Sequence, residues 1–259
     1  MRRAAPLRHP WIPPVLLGVT LLAAWFIIAE LELVSSYFIP HPVTVWDRLE
    51  AGLGSTGAIR SAALTTIGEA VAGCAVAAII GIPLGYAIAK WRLFSATVEP
   101  YLAASQAVPA VAVAPILVLW IGYGAVSVVV LCTIIVIFPV VISTALGLRN
   151  LDTDILDAAR LDGAGRWELL RYMELPLAAP SILAGLRTGF TLSVTGAIVG
   201  EMVMGGTGLG LLLNSSQGSS GNTAMLFAII AVLCVLAVSL YLILAWLENV
   251  LNPLRPTKN

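Results

Sequence analysis

Long apolar runs separated by short polar breaks set the pattern of this chain. A bilayer core of ~30 Å takes ~20 mainly apolar residues as helix. Six stretches qualify: residues 11–29, 64–89, 101–121, 126–148, 182–204 and 223–247. They are rich in Leu, Ile, Val and Ala, without the alternation over ~10 residues that membrane strands require. The predicted fold is all-α: one polytopic domain over 1–259 with six membrane-crossing helices. The polar breaks differ. Residues 30–60 contain Ile39-Pro40-His41-Pro42, which proline keeps extended, and a short interfacial helix is predicted at 47–51. The breaks at 90–100 and 122–124 read as short loops, and 205–222 is rich in Gly, Ser and Asn. The longest break, 149–181, holds eleven of the 28 charged residues, counting Arg187 at its edge.

Composition supports a membrane protein. Charged residues make up 11% and hydrophobic ones 59%, against about 25% charged in soluble domains. A soluble globule would expose a large apolar surface, and a disordered chain would be polar. Cys74, Cys132 and Cys234 lie far apart in apolar runs, so no disulfide scaffold is expected. Formal net charge is zero, and no nucleic-acid partner is implied. The basic residues are distributed unevenly. With the N-terminus inside, twelve fall on the inner side and only Arg48 and Arg60 on the outer, as the positive-inside rule requires. Both termini are then cytoplasmic. Arg2, Arg3 and Arg8 before the first run could mark a signal peptide. That run is longer than a usual signal core and lacks a small-residue cleavage site, so a retained helix is expected. Trp11, Trp46, Trp91 and Trp120 fit an aromatic belt.

The polar loop 149–181 reads as two short helices joined by a turn. Thr153 or Asp154 would cap the first, with Asp157 adding negative charge near its start. Ile155, Leu156 and Ala159 would share an apolar face. Gly163 suits a left-handed C-terminal cap. The second helix, 164–173, would be anchored by Trp167, Leu169 and Leu170 and ended by Pro176.

At this loop the chain resembles the permease subunits of binding-protein-dependent ABC importers. Their hallmark is E-A-A, three residues, G, nine residues, then I-x-L-P. Here Asp157-Ala158-Ala159 precedes Gly163 by that interval, and Met173-Glu174-Leu175-Pro176 follows at the second. Asp157 stands for Glu and Met173 for Ile. The chain is similar to the nitrate/sulfonate/taurine branch through Phe38-Ile-Pro-His-Pro42, Gly81-Ile-Pro-Leu-Gly85, Val113-Ala-Pro-Ile-Leu117, and Gly200-Glu201 before Gly208-Leu-Gly210. The resemblance implies a MetI-like type I importer fold in the bacterial inner membrane. It also implies that the loop around Asp157, Ala158, Ala159, Gly163, Leu175 and Pro176 couples to two separate cytoplasmic ATPase subunits. A second permease copy, as a homodimer, and an extracytoplasmic binding protein would complete the transporter. The expected solute is a small anion such as nitrate, a sulfonate or taurine, with a pyrimidine or flavin vitamin or precursor as the alternative.

Glu69 and Glu201 are the acidic residues set inside predicted spans. Such groups are costly in lipid and functional by default, so both are candidates for the translocation path, against the plainer reading of hydrogen bonds tying helices together. Pro83, Pro109, Pro115 and Pro139 would kink helices, for a path or for packing. Gly205-Gly206-Thr207-Gly208-Leu209-Gly210 lacks the phosphate-loop spacing, and Lys90 and Lys258 are the only lysines. The chain therefore has no ATPase site of its own. His9 and His41 form no metal motif, no cofactor is implied, and His41 reads as a loop residue. A membrane-embedded enzyme would need catalytic pairs within spans. A secondary transporter would favour inverted repeats, and none is visible in the sequence.

Overall fold

The computed structural model describes residues 12–251 apart from 55 and 218–221. Arg2, Arg3, Arg8, His9, Trp11, Arg255 and Lys258 lie outside the described residues. The described residues form helices only: α1 Ile12–Glu30, α2 Pro42–Leu53, α3 Ala58–Lys90, α4 Arg92–Ser105, α5 Ala110–Ile121, α6 Ala125–Arg149, α7 Thr153–Leu161, α8 Arg166–Glu168, α9 Leu175–Met204, α10 Leu209–Ser216 and α11 Thr223–Leu251. A π-helical turn, Leu169–Glu174, joins α8 to α9, making one helix over Arg166–Met204. Among the described residues, four helices are long and apolar enough to cross a membrane: Ala58–Lys90, Ala125–Arg149, Arg166–Met204 and Thr223–Ile243. Val15–Glu30 and Val111–Ile121 are shorter apolar helices.

The core is α3, α6 and α9. In lipid, helices gain little from hydrophobic exclusion and associate through close packing and hydrogen bonds. Small residues supply that closeness. A Cβ on Gly85 would stand 2.7 Å from Thr144 Cβ and from the Val141 carbonyl oxygen, so α3 and α6 touch backbone to backbone there. A Cβ on Gly185 of α9 would overlap Ser143 Cβ and meet the Pro139 carbonyl oxygen at 3.0 Å, so α6 and α9 approach closely there. Ser193 Oγ donates to the Ala70 carbonyl at 2.8 Å, and Thr133 Oγ1 to that of Gly73 at 3.3 Å. Val128, Leu131, Cys132, Val136 and Val140 of α6 are fully enclosed. At the periphery, Trp25 of α1 donates Nε1–H to the Pro40 carbonyl at 3.1 Å and rests its ring on Phe227 of α11.

Three expectations change. The run 101–121 is not one helix: it breaks between Ser105 and Ala110, where Pro109 has no N–H to give the Ser105 carbonyl and Val108 N–H reaches it instead at 3.4 Å. The break 90–100 is not a loop but most of α4. Its charged Arg92 and Glu99 lower the hydropathy without disfavouring helix. The helix expected at 47–51 runs from Pro42 to Leu53. His41 caps it, its Nδ1 accepting the Val43 N–H at 3.3 Å, and Pro42 suits a first helical position.

Candidate functional site

Polar groups gather at both ends of the bundle. The charged end carries α7, α8 and the π turn. Asp152, not Thr153 or Asp154, caps α7: its Oδ1 accepts the Asp154 N–H at 2.9 Å. The cap falls one residue earlier than expected because the helix itself starts at Thr153. Gly163 adopts φ +94°. Its N–H reaches the Arg160 carbonyl, and the Ala164 N–H reaches that of Ala159. This is a Schellman closure, for which the left-handed residue must be small. Leu156 and Ala159 turn inward onto Leu169, with Leu151, Ala164 and Met173 around them.

Other apolar groups at this end turn outward. Leu161 is 89% exposed and Trp167 67%, with Tyr172 and Ile155 also uncovered. Trp167 is thus no anchor of the second helix; Leu169 fills that role, because the turn from Gly165 points Trp167 away from α7. Asp157 and Ala158 are exposed as well, and Asp157 pairs with Arg160 at 2.6 Å. Pro176 does not end the second helix. The wide π turn before it gives room for the proline ring, and α9 continues to Met204. Leu175 packs beside Leu148, Ala178 and Ile182.

The motif residues are therefore divided by the fold. Asp157, Ala158 and Gly163 share an open surface, Ala159 is buried below it, and Leu175 with Pro176 joins the loop to α9. Sequence reasoning missed Glu174, which lies within the motif. Its side chain is 3% exposed, and Oε1 accepts from Lys90 Nζ at 2.5 Å, tying the end of α3 to the base of α9. A lone lysine ending one long apolar run and a glutamate opening another was the available signal.

The opposite, glycine-rich end contains Glu201 and Glu69. Glu201 is fully enclosed and Glu69 is 5% exposed. Thr66 Oγ1 donates to Glu201 Oε1 at 2.7 Å, and Gly210 N–H to Glu201 Oε2 at 2.6 Å. Thr66 Oγ1 accepts the Leu209 N–H at 2.9 Å. The first N–H groups of a helix have no intrahelical partner. Gly208, the residue before α10, has no side chain to cap them, so Thr66 of α3 and Glu201 of α9 do so across the fold. The glycines are a steric condition: a Cβ on Gly208 would overlap the Glu201 carboxyl, and one on Gly210 would meet the Ile198 carbonyl oxygen. Glu69 lies one turn from Thr66 with Glu201 alongside. Apart from the Glu201 carboxyl, no hydrogen-bonding group of the described residues reaches its oxygens. Among the described residues no cluster of three or more His, Cys, Asp or Glu could hold a metal.

Comparison with known proteins accounts for this arrangement. Residues 58–253 match the family described as "Binding-protein-dependent transport system inner membrane component". The riboflavin transport system permease protein RibX of Chloroflexus aurantiacus is 38% identical over 94% of this chain and 91% of its own length. The formylaminopyrimidine transport permease protein ThiX of Halalkalibacterium halodurans is 30% identical over 94% and 96%. The taurine transport system permease protein TauC of Escherichia coli is 31% identical over 90% and 86%. In fold the chain is similar to the inward-facing MetNI methionine ABC transporter, with a TM-score of 0.68 at 16% identity over 76% of this chain and 97% of that one. An amino acid ABC transporter crystallised with histidines gives 0.63 at 17% identity over 77% and 96%. The all-helical bundle, the motif spacing and these matches agree: the chain belongs to the inner-membrane components of binding-protein-dependent transport systems, the permeases of ABC importers.

Proposed function

We propose that this permease carries a small heterocycle of the riboflavin or formylaminopyrimidine kind. The observation behind this reading is the RibX similarity over nearly the full length of both chains, with ThiX similar over almost as much. It reverses the order of solutes expected from the motifs, where a nitrate- or sulfonate-like anion stood first. The TauC similarity keeps taurine as the second reading. The interior favours the first. A cavity beside the α4–α5 break is lined by Ser105, Gln106 and apolar side chains, the mixed surface that a flat, uncharged ring would suit.

In this reading α1, α3, the α4–α5 pair from residue 101, α6, the Arg166–Met204 helix and α11 make six crossings, with both termini and the charged end in the cytoplasm. Two ATPase subunits meet the open surface of Asp157, Ala158 and Gly163, and ATP-driven closure moves it together with α9 through Leu175 and Pro176. A second copy of the chain completes the pore, and an extracytoplasmic binding protein delivers the solute. Glu201 is a fixed cap for α10 rather than a group the solute meets, and Glu69 shares its enclosure.

Uptake of radiolabelled riboflavin, formylaminopyrimidine, taurine and nitrate by host cells with and without the chain tests the solute. Loss of riboflavin or pyrimidine uptake alone is expected. Loss of taurine or nitrate uptake with the others intact would overturn it.

A further inference from the structure

Among the described residues, the break between α4 and α5 is an irregular stretch set between apolar segments, beside the middle part of α6 and α9. Ser105, Gln106, Val108 and Val113 share a cavity of about 360 Å³ with Leu131, Ile134 and Ile135, near the middle of α6, and Leu192, near the middle of α9. The backbone there changes from helix to three-residue turns. Gln106 N–H reaches the Ala103 carbonyl at 3.2 Å, Ala107 that of Ala104 at 3.0 Å, and Val108 that of Ser105 at 3.4 Å. Gln106 is exposed, and no hydrogen bond to its carboxamide occurs among the described residues. Ser105 Oγ is turned back onto the Leu102 carbonyl at 2.7 Å.

Non-helical backbone and a free carboxamide are not tolerated against lipid tails. At membrane depth they occur where protein covers them or where a water-filled cavity reaches them. One wall is supplied by α6 and α9, and the other side of Gln106 is open. The volume also falls in the range of small-molecule sites, ~300–1,000 Å³. Such sites combine apolar walls with a few polar groups that orient the solute.

We propose that the Ser105–Pro109 break lines the translocation path, and that the Gln106 carboxamide hydrogen-bonds the passing solute against the apolar wall of Leu131, Ile134, Ile135 and Leu192. A carboxamide offers both donors and an acceptor, which matches the ring amide and carbonyl edge of an uncharged flat heterocycle. The solute class rests on the function proposed above, whereas the path lining rests on the fold alone.

The test uses the complete transporter in native membranes, with Cys234→Ser removing the exposed native thiol. Gln106→Cys and Ser105→Cys are exposed to a charged, membrane-impermeant methanethiosulfonate. Leu119→Cys is the control outside the cavity, its parent side chain being 82% exposed on α5. Both break positions are expected to react at least tenfold faster than the control, and riboflavin with its binding protein and ATP should slow or speed that reaction severalfold. Reaction no faster than Leu119→Cys at both positions would overturn the path lining. Fast reaction that taurine modulates and riboflavin does not would keep the path and overturn the solute class. A second readout is uptake kinetics: Gln106→Leu is expected to raise KM about tenfold, with Gln106→Asn recovering most of the loss. Equal KM in all three proteins would overturn the solute contact.

Discussion

The two ends of the bundle treat polar groups in opposite ways. At the glycine-rich end the strongest acceptor, Glu201, is fully enclosed and takes its donors from Thr66 and Gly210. The end closes on itself. At the charged end the Schellman turn and Asp152 cap satisfy the backbone of α7, yet α7 leaves Leu161, Asp157 and Ala158, and α8 leaves Trp167, on the surface. An isolated pair such as Asp157–Arg160 contributes little to stability, about 0–1 kcal/mol. The folded chain therefore gains almost nothing from that surface, which is where the proposed ATPase contact lies. Substitutions at the closed end should act on stability first, and those at the open end on transport.

The largest effect on stability is expected from Glu201→Ala. It leaves the Gly210 N–H buried without its acceptor, at about 1–3 kcal/mol, and the Thr66 hydroxyl with only the Ala62 carbonyl at 3.1 Å to accept from it. The thermal midpoint of the detergent-solubilised protein should fall, and glutamine, which keeps one oxygen acceptor, should recover part of the loss. If alanine and glutamine melted alike at the wild-type midpoint while uptake collapsed in both, Glu201 would belong to the path and not to the cap. Next is Gly210→Ala, whose Cβ meets the Ile198 carbonyl oxygen. Overpacking of this kind costs typically 1–3 kcal/mol, and the same melting measurement reads it.

At the open end, Gly163→Arg should behave differently. No atom of the chain would meet the new Cβ, so the cost is that of a left-handed non-glycine residue, about 1–2 kcal/mol. The protein should still insert, with a melting midpoint lower by about 2–8 °C. Co-purification with the ATPase subunits and uptake should both be lost. Normal transport in this variant would remove the docking role from the α7 surface.

Much of this contrast was legible in the chain. Hydropathy located the long helices, and the interval from Asp157 to Gly163 to Pro176 located the open surface with its left-handed turn. What escaped was information carried by distant residues or by small departures in an apolar run. Glu201 and Thr66 are far apart in sequence, and nothing local tells that one caps a helix with the other. Gln106-Ala107-Val108-Pro109 is too apolar on average to register as a break, and Pro109 reads only as one of four kinking prolines, of which Pro115 and Pro139 stand inside continuous helices. The π turn before Pro176 was equally hidden, because a proline in sequence gives no sign of whether the preceding turn widens to admit it.

The smallest effect is expected where α4 meets the charged end. Ser95 Oγ donates to Glu99 Oε1 at 2.9 Å, Arg149 Nη2 lies 2.8 Å from the same oxygen, and Arg149 also bonds Ser95 Oγ and the Ile88 carbonyl. The Ser95 hydrogen bond first, and then Arg149, hold the Glu99 carboxyl below the usual carboxylate range. Glu99 precedes the crossing part of the α4–α5 pair. A depressed carboxyl contributes stability only while ionised. The contribution is complete above its unfolded value, near 4.3 for Glu, and disappears as pH falls through the lower folded value. Both side chains are more than a third exposed, so solvent screening keeps the gain below about 1 kcal/mol. Glu99→Gln should therefore melt slightly below wild type at pH 7, and the two should converge in acid. A gap that persisted in acid would mean that Glu99 holds α4 by packing rather than by charge. The charged end would then resemble the closed end here as well, with the surface of α7, α8 and the π turn left as its open part.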